Sequence, residues 1–176
     1  MTTGASGLTV TDLGTIQSLE LPTKWVAAPP PEEVGGRQLH KWHLLTRRDI
    51  RFCSYLRNVS LSKPTATVFQ EVLYSEFHSV SQTELEKLDE ILESMSNTDA
   101  FQIIDANTGY LNSRRVLTIK GRWLKTLEET ISCFVDVNGD GLHVHQIYFT
   151  APSGEFEKYS QTADQIFISI KWKHDS

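Results

Sequence analysis

Asn138-Gly139-Asp140-Gly141 stands between two strand-like runs, the first with apolar residues at every second position. Ile131, Cys133, Val135 and Val137 precede it at every second position, and residues 142–150 follow it as the partner strand. A period of two puts alternate side chains on opposite faces of a pleated strand. Asn-Gly and Asp-Gly accept the positive φ that a tight reversal needs. The segment therefore predicts an antiparallel hairpin with its tip at 138–141. That pairing excludes an all-helical bundle and an all-parallel sheet.

The same alternation appears earlier. Thr15-Ile16-Gln17-Ser18-Leu19-Glu20-Leu21 reads as a strand ended by Pro22, with Trp25 at the edge of the core. Residues 26–36 contain Pro29-Pro30-Pro31 and Gly35-Gly36 and read as a loop. His40, Trp42 and Leu44 share one strand face, and Ile50, Phe52, Ser54 and Leu56 share another. From Thr65 the spacing turns helical, with Val68, Phe69, Val72, Leu73 and Phe77 on one face. Leu85, Leu88, Ile91, Leu92 and Met95 give a second helix, opened by the capping box Ser81-Gln82-Thr83-Glu84. Strands return at 101–104, and again where Leu117, Ile119 and Trp123 oppose Thr118, Lys120 and Arg122. Phe156, Tyr159, Ala163, Ile166, Phe167 and Ile170 line a closing helix, followed by Trp172. The order predicts an α+β fold, an antiparallel β-sheet flanked by helices. Residues 1–12 read as a loose arm and 13–176 as one domain.

At 176 residues, 39% apolar and 22% charged, the chain suits a folded core without staples. Seventeen Lys and Arg against 22 Asp and Glu leave a net charge of −5, which argues against nucleic-acid binding. No apolar stretch reaches 18 residues, and the first residues lack the pattern of a secretion signal, so neither membrane insertion nor export is expected. Two cysteines far apart in sequence, Cys53 and Cys133, are expected as free thiols in a reducing, cytoplasmic setting.

Three segments carry a resemblance. Leu21-Pro22-Thr23-Lys24-Trp25 closes the first strand, and the late hairpin ends in Phe149-Thr150-Ala151-Pro152. The last helix runs through Tyr159, Ile166-Phe167 and Ser169-Ile170-Lys171-Trp172. Together they resemble the PsbP-like α/β/α sandwich, shared by the extrinsic photosystem II protein, a Ran-binding nuclear import factor and small bacterial proteins. The likeness spans most of residues 15–172. It implies a non-enzymatic adaptor or stabilising protein that acts by binding other proteins. The acidic Ran-contact segment and the lumenal targeting peptide are both missing, so neither of those partners carries over.

Chemistry-bearing motifs are few. Asp136-Val137-Asn138-Gly139-Asp140-Gly141 matches the opening of a calcium loop, but Ile147 stands where the bidentate Glu belongs, and a plain turn explains the same letters. His143-Val144-His145 presents two imidazoles on one strand face, lacking the Glu that cupin-type sites add. With Asp136 or Asp140 they form the one metal-site alternative, either a metal-binding protein or a small metal-dependent enzyme. GxSxG, GxGxxG and GxxxxGK[ST] do not occur, so no cofactor is expected. Glu128 and Glu129 read as solvated loop residues. A ligand carrier, with Trp42, Trp123 and Phe149 around a pocket, is the remaining alternative.

Charge is distributed unevenly. Arg37, Lys41, Arg47, Arg48, Arg51 and Arg57 face Asp49 alone, and Arg114, Arg115, Lys120, Arg122 and Lys125 have no acid among them. Residues 71–105 hold nine carboxylates and one lysine. The expectation is one solvent-facing basic surface made of Arg51, Arg57, Arg114, Lys120 and Arg122, docking an acidic protein. The bland reading is that these cations balance the protein's own acids.

Overall fold

The computed structural model of the chain describes residues 7–29, 31–34, 37–55, 59–92 and 99–173. Strands come first: β1 (Leu8–Leu13), β2 (Ile16–Leu21), β3 (Trp25–Ala27), β4 (Glu32–Val34), β5 (Arg37–Leu44), β6 (Arg47–Tyr55) and β7 (Val59–Ser60). Three helices follow, α1 (Lys63–Tyr74), α2 (Gln82–Glu86) and α3 (Asp89–Leu92). The long strands are β8 (Phe101–Leu111), β9 (Arg114–Trp123), β10 (Glu128–Asp136) and β11 (His143–Pro152). The described part of the chain closes with α4 (Phe156–Ile168) and β12 (Lys171–Trp172).

Among the described residues nine strands form one antiparallel sheet, in the order β3-β5-β6-β11-β10-β9-β8, with β4 on β5 and β7 on β11. A second sheet, β1-β2-β12, stacks with α4 on one face of the first. Leu19, Phe52, Phe149, Ile166 and Trp172 belong to the core sealed there. The other face carries α1, α2 and α3 over Leu117, Ile119, Phe134 and Val144. Helices on both faces of an antiparallel sheet make the α+β sandwich that the alternation of periods predicts.

Local chemistry sets the helix ends. Ser62 caps α1 by accepting from the Thr65 amide, and a proline sits in the first turn where no donor is needed. The capping box Ser81–Glu84 forms in both directions. Lys87 ends α2 after five residues, so the predicted second helix is two short ones. The closing helix buries Ile166 and Phe167, half-buries Tyr159, and is followed by buried Ile170. Asn112, at positive φ in the β8–β9 turn, donates to the carbonyls of Phe167, Ile168 and Ile170 and so caps that helix from outside.

Several expectations need correcting. Residues 8–12 of the predicted arm lie in β1, because β2 offers them a full backbone ladder from Leu8↔Leu21 to Leu13↔Ile16. The predicted loop at 26–36 contains β3 and β4, both paired to β5. Strand β8 runs through Leu111, far past the predicted end at 104. Its run Asp105-Ala106-Asn107 has no alternation to announce it, and a register shift between Ile103 and Asp105 changes the phase. Phe77 lies beyond α1 and is exposed. Leu56 and Met95 lie outside the described residues.

Candidate functional site

Strand parity decides where the predicted basic residues stand. On β9, Arg114, Lys120 and Arg122 share a face with Val116, which belongs to the core under α4. On β6, Ile50 and Phe52 point into that same core, so Arg51 points to the opposite face. Arg57 lies outside the described residues. A single basic surface containing both Arg51 and the β9 cations is therefore not formed. Nor are these cations free of acid: Arg51 pairs with Glu128 at 3.2 Å, and Arg122 with Glu129 at 3.0 Å. Lys120 lies 3.9 Å from Glu157 and over the Phe156 ring. The neutralising carboxylates come from β10 and α4, and Glu128 and Glu129 are half-buried partners in a strand.

What the fold brings together at Arg114 is a groove of about 450 Å³ where the β8–β9 turn meets β12. Gln17, Ser113, Arg114, Lys171 and Lys173 line it. Arg114 donates to the Lys173 carbonyl at 3.2 Å, and Lys173 forms an ion pair with Asp12 of β1. That ion pair holds the Asp12 carboxyl below its ordinary range. Sequence reasoning missed Lys171 and Lys173 because they stand just past the closing helix with no strand pattern of their own, and only β12 pairing with β2 carries them to Arg114.

The proposed metal ligands are divided between faces. His145 opposes Val135 on the α4 side, while Asp136 opposes Val144 on the helical side. His145 is fully buried; Nδ1 contacts Thr15 Oγ1, and Nε2 lies 2.9 Å from Ser54 Oγ. Burial, with the Arg37 charge as a smaller contribution, lowers its pKa to about 4, so the ring is neutral at pH 7. Asp136 accepts from the Gly141 amide at 3.0 Å and from the Tyr74 hydroxyl at 2.9 Å. Asp140 accepts from the Leu142 amide at 2.9 Å. Gly139 and Gly141 have φ of 76° and 73°, the conformation the turn reading requires. Among the described residues no three His, Cys, Asp or Glu side chains converge as metal ligands.

Cys53 and Cys133 are free and buried, and desolvation raises their pKa values to about 11 and about 12. Neither thiol is available as a thiolate at neutral pH. Trp42 and Phe149 lie in the core under α4, whereas Trp123 packs on Phe101 on the opposite face, 4.7 Å between ring centres. The three aromatics do not surround one pocket, which corrects the carrier expectation as it was framed.

The helices α1, α2 and α3 leave part of their face open, and a cavity of about 170 Å³ lies there among β6, β11 and β10. Arg51, Tyr55, Glu128, Ser132, Gln146 and Tyr148 are among its walls. Burial is the main cause that holds the Tyr148 hydroxyl protonated far above its ordinary pKa. The only sequence signal was the polar half of each alternation, which is also how an ordinary solvent face reads.

Comparison with known proteins bears on the fold. Neither a family model nor a curated protein matches the chain. The solved structure of cyanobacterial PsbP from Synechocystis superposes with a TM-score of 0.60 at 10% identity, covering 97% of this chain and 95% of that one. The fold is PsbP-like. LpqN of Mycobacterium tuberculosis, described as involved in cell envelope biogenesis, gives a TM-score of 0.50 at 14% identity over 96% of this chain and 91% of its own. No helix among the described residues is long and apolar enough to cross a membrane.

Proposed function

We propose that this PsbP-like chain is a non-enzymatic accessory module that binds an acidic segment of another protein in the groove beside Arg114. The observation that carries the reading is the gathering of Arg114, Lys171 and Lys173 around one open groove, where Lys173 pairs with Asp12. Lys171 is exposed, so its charge is presented at the rim. Complementary charge of this kind steers encounter and selects partners by sign. The inert thiols and the buried neutral His145 support a binding role over a catalytic one. Two free buried thiols also suit the reducing, cytoplasmic setting proposed for it.

The test compares two charge reversals in capture from native lysate at low salt. Arg114→Glu with Lys171→Glu is expected to abolish retention of acidic proteins. Lys120→Glu with Arg122→Glu is expected to leave it intact, because those cations already have carboxylates at hand. Equal capture by both variants and the parent chain rejects the groove as the docking site. Retention should weaken as added salt shortens the screening length below about 10 Å.

A further inference from the structure

We propose that the cavity among β6, β11 and β10 is a binding site for a small carboxylate. Five buried side-chain polar atoms among the described residues have no protein partner; two belong to residues that line this cavity and a third to a residue in contact with its walls. These three are Arg51 Nε, Ser132 Oγ and Arg37 Nη1. Ser132 and Arg51 line the space directly. Arg37 sits behind two lining residues, 3.9 Å over the Tyr55 ring and 3.4 Å from Gln146 Oε1. Each of the three atoms can donate a hydrogen bond. Buried donors are ordinarily matched, so what is missing here is an acceptor.

Charge narrows the class. Lys41 is held by Glu32 at 2.5 Å and Arg51 by Glu128 at 3.2 Å, whereas Arg37 has Gln146 and Tyr55 as its partners and no carboxylate among the described residues. Among the described residues this part of the face therefore carries one cation in excess, which suits a monoanion. Glu128 grips Arg51 through Nη2 and leaves the Nε edge to a second acceptor. That division fits guanidinium recognition of two carboxylates at once. The resident Glu128 also works against a more highly charged guest.

Size narrows it again. At about 170 Å³ the cavity is smaller than the roughly 300 Å³ at which sites for drug-sized ligands begin. Trp123 and Glu128 belong also to an adjoining hollow of about 370 Å³, whose other walls are Ala100, Lys125 and Thr126. A carboxyl group in the inner cavity would leave a flat apolar body beside the Trp123 ring. Benzoate has that shape, and benzamide keeps the ring while replacing one charged acceptor oxygen by a neutral amide NH2 that only donates.

The test is a titration of the full chain with each compound, followed by NMR at the Arg51 Nε–H and the Trp123 indole N–H. Benzoate is expected to give saturable shifts at both, and benzamide none. Arg51→Lys keeps a positive charge but loses the Nε edge, and is expected to weaken benzoate about tenfold or more, as loss of an ionic hydrogen bond does. Ser132→Ala is expected to weaken binding several-fold while raising the melting temperature of the unliganded chain, because it deletes a buried hydroxyl without a partner. That pairing of effects separates a ligand-facing hydroxyl from a structural one. Absence of saturable shifts with benzoate, equal shifts with benzamide, or Ser132→Ala that lowers the melting temperature and spares affinity, overturns the proposal.

Discussion

On β11, Ile147, Phe149 and Ala151 point under α4 and are wholly buried, whereas Gln146, Tyr148 and Thr150 point the other way and line the polar cavity. The two sets alternate along one strand, and what covers them differs. A second sheet and a full-length helix seal the first face, so aromatic residues fill it: Trp25, Trp42, Phe52, Phe149 and Phe167. The second face receives α1 and two short helices, which reach Leu117, Phe134 and Val144 but not the β5–β6 side. Most strand positions beyond the helices there are polar or charged, Lys41, Arg51, Gln146 and Thr150 among them, with Leu39 and Cys53 buried between. The difference teaches that in this fold the cover, not the strand, selects which half of an alternation becomes core and which becomes available to a ligand.

The largest expected effect tests that contrast within one strand. Phe52 is fully buried, with its ring centre 5.9 Å from those of Trp42 and Phe167. Phe52→Ala should lower stability by about 3–5 kcal/mol in urea unfolding, as removal of a core aromatic does. Tyr55→Ala, three residues on and facing the cavity, should cost about 1 kcal/mol or less. Similar losses for the two would break the comparison.

Acid should act on the sealed face with a definite sign. His145 is neutral in the fold and titrates near 4, while in the unfolded chain it titrates near 6.5. The unfolded state therefore binds the extra proton first, and stability present above pH 6.5 is lost as pH falls toward 4. The loss at the lower end should be about 3 kcal/mol by linkage, and a His145→Gln variant should show a flatter midpoint between pH 7 and 4. His78, on the helical side, behaves oppositely. Hydrogen bonds to the Glu76 carbonyl and Glu84 carboxylate raise its pKa, so its small contribution is present at low pH and fades as pH rises. A midpoint that stays level on acidification would show that His145 is not sealed.

The smallest effect sharpens the account of the charges. Arg122→Gln removes a half-exposed partner of Glu129 and should change stability by about 1 kcal/mol or less, measured by thermal melting. A larger loss would mean that the β9 ion pairs hold the sheet together rather than merely balancing charge.

Much of the fold was legible in the sequence because alternation and helical spacing are local. The hairpin 131–150, the capping box at Ser81 and the buried face of the last helix all follow from residues a few positions apart. Strand β1 and the later half of β8 were not legible, since Thr9, Thr11 and Asn107 gain order from a neighbouring strand and not from their own pattern. The candidate sites were less legible still. Arg51 and Arg122 look alike as cations on alternating strands, yet a difference in phase sends them to opposite faces.

The sequence by itself determined the antiparallel hairpin, the α+β class and the turn at 138–141, because each rests on contacts within one or two elements. Only the tertiary structure decided that Arg114 meets Lys171 and Lys173, that His145 is closed off by Thr15 and Ser54, and that Arg51 stands beside Ser132. Those neighbours are set by strand order and register across the sheets. Backbone ladders can form in more than one register, so the register is chosen by which side chains the assembled sheets bury and by the turns that join the strands, and no single strand carries that information.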